Sequence, residues 1–143
     1  MTRRPAILAM LMLAPALFPV LALAGDPKRD ALLAEYAAQA KAQDPAFTAF
    51  SPQRGETFYR ATWKGGDPRT ASCTACHTAN PRQAGQNAKT GRPIEPVAVS
   101  ANPARFTDRA TVEKHFVRDC KSVLGRECTA LEKGDYVAFL AGQ

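Results

Sequence analysis

Cys73-Thr74-Ala75-Cys76-His77 brings two thiols and an imidazole within five residues, in the order C-x-x-C-H. That order is the attachment signature for a c-type haem. The two thiols add across the haem vinyl groups as thioethers, and the adjacent imidazole reaches the iron as proximal ligand. Two other chemistries use paired cysteines. A tetrahedral zinc site needs a fourth ligand at matching spacing, and a redox dithiol of the thioredoxin kind sits at a βα turn. This stretch resembles neither. One covalent haem c, held by Cys73 and Cys76 with His77 on the iron, is the expected cofactor.

The start of the chain fits that expectation. Arg3 and Arg4 give a basic n-region, an apolar run extends from Pro5 to Leu23, and Ala22-Leu23-Ala24 supplies a small-x-small cleavage site before Gly25. An uncleaved membrane anchor is the rival reading, because the run is nearly long enough to span a bilayer. Pro15, Pro19 and the A-x-A ending favour cleavage. The expected organisation is a signal peptide over 1–24 and a monohaem domain over 25–143, with no stable membrane insertion. Haem is joined to C-x-x-C-H outside the bacterial cytoplasm, so a periplasmic location follows.

Residues 25–143 are enough for one small domain with a modest core, which a covalent haem would enlarge. Two of the 19 basic residues lie in the leader and none of the 13 acidic ones does, so the remainder carries +4. These charges are scattered. Nucleic acid would want a clustered basic stripe, which is absent. A solvated surface explains the charge, with an acidic docking partner as the alternative.

With Cys73 and Cys76 assigned to the haem, Cys120 and Cys128 remain of four cysteines. In an oxidising compartment they should pair, the alternative being two free thiols.

The positioning elements read as helices separated by irregular chain. Leu32, Leu33, Tyr36 and Ala40 have helical spacing within 28–43, and Asp44-Pro45 ends that helix. Ser51-Pro52 looks like an N-cap followed by proline at the first helical position, opening a helix over about 52–62 that presents Phe58 and Tyr59 ahead of the motif. Gly65-Gly66-Asp67-Pro68 is a loop. From Thr78 to Pro103 there is little periodicity, and a loop that long needs something packed against it, such as a haem edge. Asp108 can cap a helix over about 109–121. Thr129 and Glu132 have capping-box spacing for a last helix to about Leu140. No strand pattern is evident. The expected fold is all-α: a class I cytochrome c arrangement with an extra N-terminal helix.

The other side of the iron is less ordinary. Class I cytochromes use methionine there, but Met1, Met10 and Met12 all lie in the leader. Without methionine ligation, one cause of a high reduction potential is gone. Val112, His115, Phe116, Asp119, Cys120 and Val123 share one helix face, expected to turn inward. Ionisable groups on such a face need partners. His115 and Asp119 either hydrogen-bond each other near the domain edge or look onto the open side of the iron.

Ser72 through Thr78, Ala84-Gly85-Gln86, Thr90-Gly91-Arg92, Arg105-Phe106-Thr107-Asp108, Val112-Glu113, and Cys120 through Gly125 to Cys128 resemble the sphaeroides haem protein and cytochrome c-double-prime group. The likeness runs over about Gln53 to Leu140. It implies a class I cytochrome c fold, a Cys120–Cys128 disulfide, and a distal ligand from the residue before the first bridge cysteine. In that group the residue is asparagine or histidine, and it detaches on reduction to open a site for small diatomic ligands. Here the matching residue is Asp119, a departure. A hard, anionic carboxylate suits ferric iron better than ferrous iron. His115, one turn earlier, is the alternative distal ligand, and Lys121 is a third if its amine is deprotonated. A water-filled site with Asp119 bonded to the water is a fourth arrangement.

Two function classes follow. One is a single-electron carrier exchanging with a redox partner protein, expected to be another cytochrome. The other is a haem protein that binds oxygen, nitric oxide or a similar molecule, or a redox enzyme built on such a site. Electron transfer is the leading reading, and enzymatic activity is left open. Trp63 and Phe106 read as core packing. Lys64, Arg69, Arg82, Lys89 and Arg92 surround the motif in sequence and could meet haem propionates or a partner's acidic patch, and the family resemblance implies that one of them meets a propionate.

Overall fold

The first helix begins where its sequence permits. In α1 (Pro27–Gln43) the Asp26 carboxylate accepts from the Lys28 amide, proline occupies the first turn, and Asp44 turns extended ahead of Pro45. Leu32, Tyr36 and Ala40 recur every four residues and are buried. The computed structural model describes residues 25–143; the expected signal peptide and its cleavage site lie outside the described residues.

In α2 (Pro52–Arg60) the Ser51 hydroxyl accepts from the Arg54 amide. This helix ends at Arg60 rather than 62, because Ala61 is already extended. A 3-10 turn (Pro68–Thr70) leads into α3 (Thr74–His77), a single turn carrying the motif. The long segment that follows contains one small ladder that the sequence pattern did not announce. There β1 (Gly85–Gln86) pairs antiparallel with β2 (Pro93–Ile94), too short for any periodicity to show. Capped by Asp108, α4 (Arg109–Leu124) runs three residues past the expected end at 121. Val123 and Leu124 still face the core, and Gly125 stops the helix at φ 72°, a left-handed turn natural to glycine. In α5 (Ala130–Ala141) both halves of the capping box between Thr129 and Glu132 are made.

Helices α1 and α2 both pack on α5. The α2–α5 crossing is close because Gly55 has no side chain: a Cβ there would lie 1.9 Å from the Asp135 carbonyl oxygen. Asp135 is buried, and its carboxylate accepts from Arg54 Nε and Nη2 at 2.7 and 2.9 Å and from the Ser51 amide at 2.7 Å. A buried charge is tolerated when it is bonded this fully. The N-terminal helix is tied in by polar contacts as well. Arg29 donates to the Pro103 and Arg105 carbonyls at 2.7 and 3.1 Å. Tyr36 donates to Glu113, whose other carboxylate oxygen takes Lys133 at 2.8 Å. A bond between Cys120 and Cys128, with Cα atoms 5.7 Å apart, closes the short link from α4 to α5. No helix among the described residues is long and apolar enough to cross a membrane.

Candidate haem site

The single turn of α3 sets its two thiols one turn apart on one side, with the His77 amide donating to the Cys73 carbonyl at 3.0 Å. Thr78 then reverses the chain at φ 64°. The bend is held from beneath by Tyr59, fully buried on α2. Its hydroxyl donates to the His77 and Thr78 carbonyls at 3.1 and 2.8 Å. From the other side β1 closes on the motif, and a Cβ on Gly85 would sit 2.0 Å from the Cys76 carbonyl oxygen. That explains the glycine in Ala84-Gly85-Gln86.

Cys73, Cys76 and His77 open onto a cavity of about 1110 Å³. Its walls include Val112 and Phe116 of α4, Tyr136 of α5, and Phe106. Tyr136 is the centre of an aromatic cluster, with ring centroids of Phe116, Phe106, Tyr59 and Phe58 at 5.6, 6.1, 6.1 and 6.4 Å. Burial pushes its phenol well above the ordinary range, so it stays protonated.

Burial also sets the chemistry of the motif. It holds His77 down at about 4, with Asp119 pulling the other way, so the imidazole is neutral at physiological pH and keeps a free lone pair. The Nδ1 atom of His77 is buried without a hydrogen-bond partner, a condition that buried polar atoms in proteins usually avoid. Burial pushes the Cys73 thiol up to about 12, far from the depressed range of a redox dithiol. Among the described residues no three His, Cys, Asp or Glu side chains converge as a metal-binding group. A neutral lone imidazole, two thiols and a large, largely apolar cavity therefore fit a porphyrin bound through its edge and its iron.

Helix α4 supplies the remaining polar wall. The expectation that its whole stripe turns inward holds for Val112, Phe116, Cys120 and Val123, which are buried. The polar pair lines the same cavity, with His115 and Asp119 side chains 48% and 44% exposed. Arg118, which the sequence reading passed over, joins them. Its Nε and Nη2 donate to the two oxygens of Asp119 at 2.6 and 3.0 Å, and Nη2 lies 2.7 Å from His115 Nδ1. The signal was its i+3 spacing from His115. Lys121 also lines the cavity, with Nζ 3.7 Å from Glu127.

Of the five cations considered for a propionate, Lys89 and Arg92 line the cavity, whereas Lys64, Arg69 and Arg82 do not. Lys89 is paired with Asp67 at 3.1 Å, and Arg69 clamps the same carboxylate. Arg105 is a further lining cation, donating to the Glu95 and Pro96 carbonyls at 2.6 and 2.8 Å. Phe106 is buried in the core as well as facing the cavity, and Trp63 packs on Phe58 with its indole nitrogen buried and unpartnered.

The class that this fold and site define is the c-type cytochrome, of the all-α class I kind. Comparison with known proteins agrees and narrows it. Residues 45–140 match a family model described as a domain of unknown function, DUF1924. The chain is 48% identical over 122 residues to the cytochrome c-type protein SHP of Cereibacter sphaeroides, covering 85% of this chain and 89% of that protein. It is 36% identical over 124 residues to cytochrome c'' of Methylophilus methylotrophus, covering 87% and 86%. The solved structure of oxidized SHP, described as an oxygen-binding cytochrome c, matches with a TM-score of 0.73 at 45% identity over 80% of this chain and 96% of that one. Oxidized cytochrome c'' from M. methylotrophus matches with a TM-score of 0.73 at 33% identity, over 82% and 95%. The chain belongs to the SHP/cytochrome c'' family, whose cofactor is covalently bound haem c.

Proposed function

We propose that this protein is a periplasmic monohaem cytochrome that passes single electrons to and from a partner cytochrome, and whose distal side admits a small diatomic ligand. Haem c supplies a one-electron couple and an iron with two axial positions. In this reading Cys73 and Cys76 hold the haem and His77 ligates the iron through its free lone pair. Tyr59 fixes the backbone that carries His77, and the rings of Phe106, Phe116 and Tyr136 exclude water from the cavity.

One observation carries the ligand-binding half. Helix α4 brings His115, Arg118 and Asp119 to the cavity, and residues 25–143 contain no methionine to close the distal position. The relative described as oxygen-binding supports the same half. Asp119, at the position before Cys120, would face the distal side of the iron and control access to it, with His115 as the alternative donor. A carboxylate prefers the harder ferric ion, so its hold weakens on reduction.

Ferric absorption and EPR spectra of wild type, Asp119→Ala and His115→Ala test the site. The Asp119 change is expected to alter them, and an effect confined to His115→Ala removes Asp119 from any distal role. Carbon monoxide added to the reduced protein tests access. Rapid uptake is expected, whereas no uptake together with fast exchange with a cytochrome leaves electron transfer alone.

A further inference from the structure

Asp119 and His115 are not independent of one another, because Arg118 engages both. One guanidinium donates to both carboxylate oxygens of Asp119, at 2.6 and 3.0 Å. Its Nη2 also lies 2.7 Å from His115 Nδ1. A guanidinium has donors and no acceptor, so His115 Nδ1 must offer its lone pair, and a neutral ring then carries its proton on Nε2. The pair behaves accordingly: His115 Nδ1 and Asp119 Oδ2 stand 3.6 Å apart, too far for a hydrogen bond. Successive helical positions point about 100° apart. Arg118 nevertheless forks onto its immediate neighbour, and all three residues line the cavity. The His115 Nδ1 lone pair and one lone pair on each Asp119 oxygen are thereby turned toward the guanidinium.

We propose that Arg118 is a positioning residue that competes with the iron for Asp119 and His115 and so loosens the hold of either, letting a ligand from outside take the distal side. This rests on the reading that position 119 controls distal access. Without Arg118, two anionic or lone-pair donors on the cavity rim would be free to compete for that position. The Arg118 side chain is 60% exposed, and exposed pairs of this kind bias an equilibrium by about fivefold at most.

Imidazole is the probe, because as a neutral ligand it is not drawn in by the guanidinium charge. Its binding to the ferric, haem-loaded full chain is followed by conversion of the absorption and EPR spectra to the low-spin form. Shortening Arg118 widens the entrance, so steric relief alone would tighten imidazole binding. Restraint predicts the opposite sign. Arg118→Ala is expected to weaken imidazole about fivefold. Adding Asp119→Ala and His115→Ala to it restores the affinity, and Arg118→Lys, which keeps a donor but cannot fork, falls between. Unchanged or tighter binding in Arg118→Ala overturns the proposal, as does a triple variant that stays as weak as the single one. If Asp119→Ala and His115→Ala each leave the ferric spectrum unchanged, the distal reading itself has failed. If they change it while Arg118→Ala does nothing, only the restraint has.

Discussion

Tyr59 shares one proton between two carbonyls, those of His77 and Thr78, at the point where the chain leaves the C-x-x-C-H turn. Removing that proton in Tyr59→Phe keeps the ring and its packing but leaves both buried acceptors with less than they had. A net hydrogen bond is worth about 1 kcal/mol and an unsatisfied buried acceptor somewhat more. We expect a loss of about 1–2 kcal/mol in urea unfolding of the haem-loaded protein, with attachment intact by mass spectrometry. The motif itself was legible because its chemistry is local: three residue types at fixed spacing. Tyr59 was readable only as an apolar member of a helix, since its acceptors lie 18 and 19 residues further on. Arg118 was hidden for another reason. An arginine beside an aspartate looks like ordinary surface, and only its place on the cavity lining gives it meaning.

Elements were legible wherever a terminus carries its own stop or start. Ser51-Pro52, Asp108 and the Thr129–Glu132 box each satisfy orphan amides of the first turn, and each helix starts where the cap says. The end of α4 was missed because a left-handed glycine, Gly125, outranks the fading periodicity before it. Beyond that glycine, Cys128 bonds back to Cys120 across eight residues. So short a loop contributes about 2.5 kcal/mol by chain entropy. Replacing both cysteines by serine is expected to lower stability by about that amount, or the melting temperature by on the order of 10 °C for a domain this size. Calorimetry of the two haem-loaded proteins measures it. A shift of only a degree or two would mean that α4 and α5 hold their junction without the bridge.

At the scale of the molecule, the all-α class was readable from the helices, but their mutual placement was not. A close crossing joins Gly55 to Asp135, 80 residues later, and nothing in either neighbourhood marks it. A methyl group at Gly55 would stand 1.9 Å from the Asp135 carbonyl oxygen and 2.8 Å from the Phe139 Cβ, so backbone rather than a flexible side chain must yield. Gly55→Ala is expected to cost about 3 kcal/mol, at the upper end of overpacking. Denaturant midpoints would show it, and an unchanged midpoint would mean that the two helices can slide apart freely.

That crossing also sets a timetable. A chain exported N-terminus first would deliver α5 after α2 and the motif, and Gly55 has no surface to rest on until residues 130–141 arrive. Until then the turn bearing Cys73 and Cys76 would belong to an unfinished globule, its sulfurs within reach of whatever machinery joins them to a porphyrin. The arrival of α5 shuts the door.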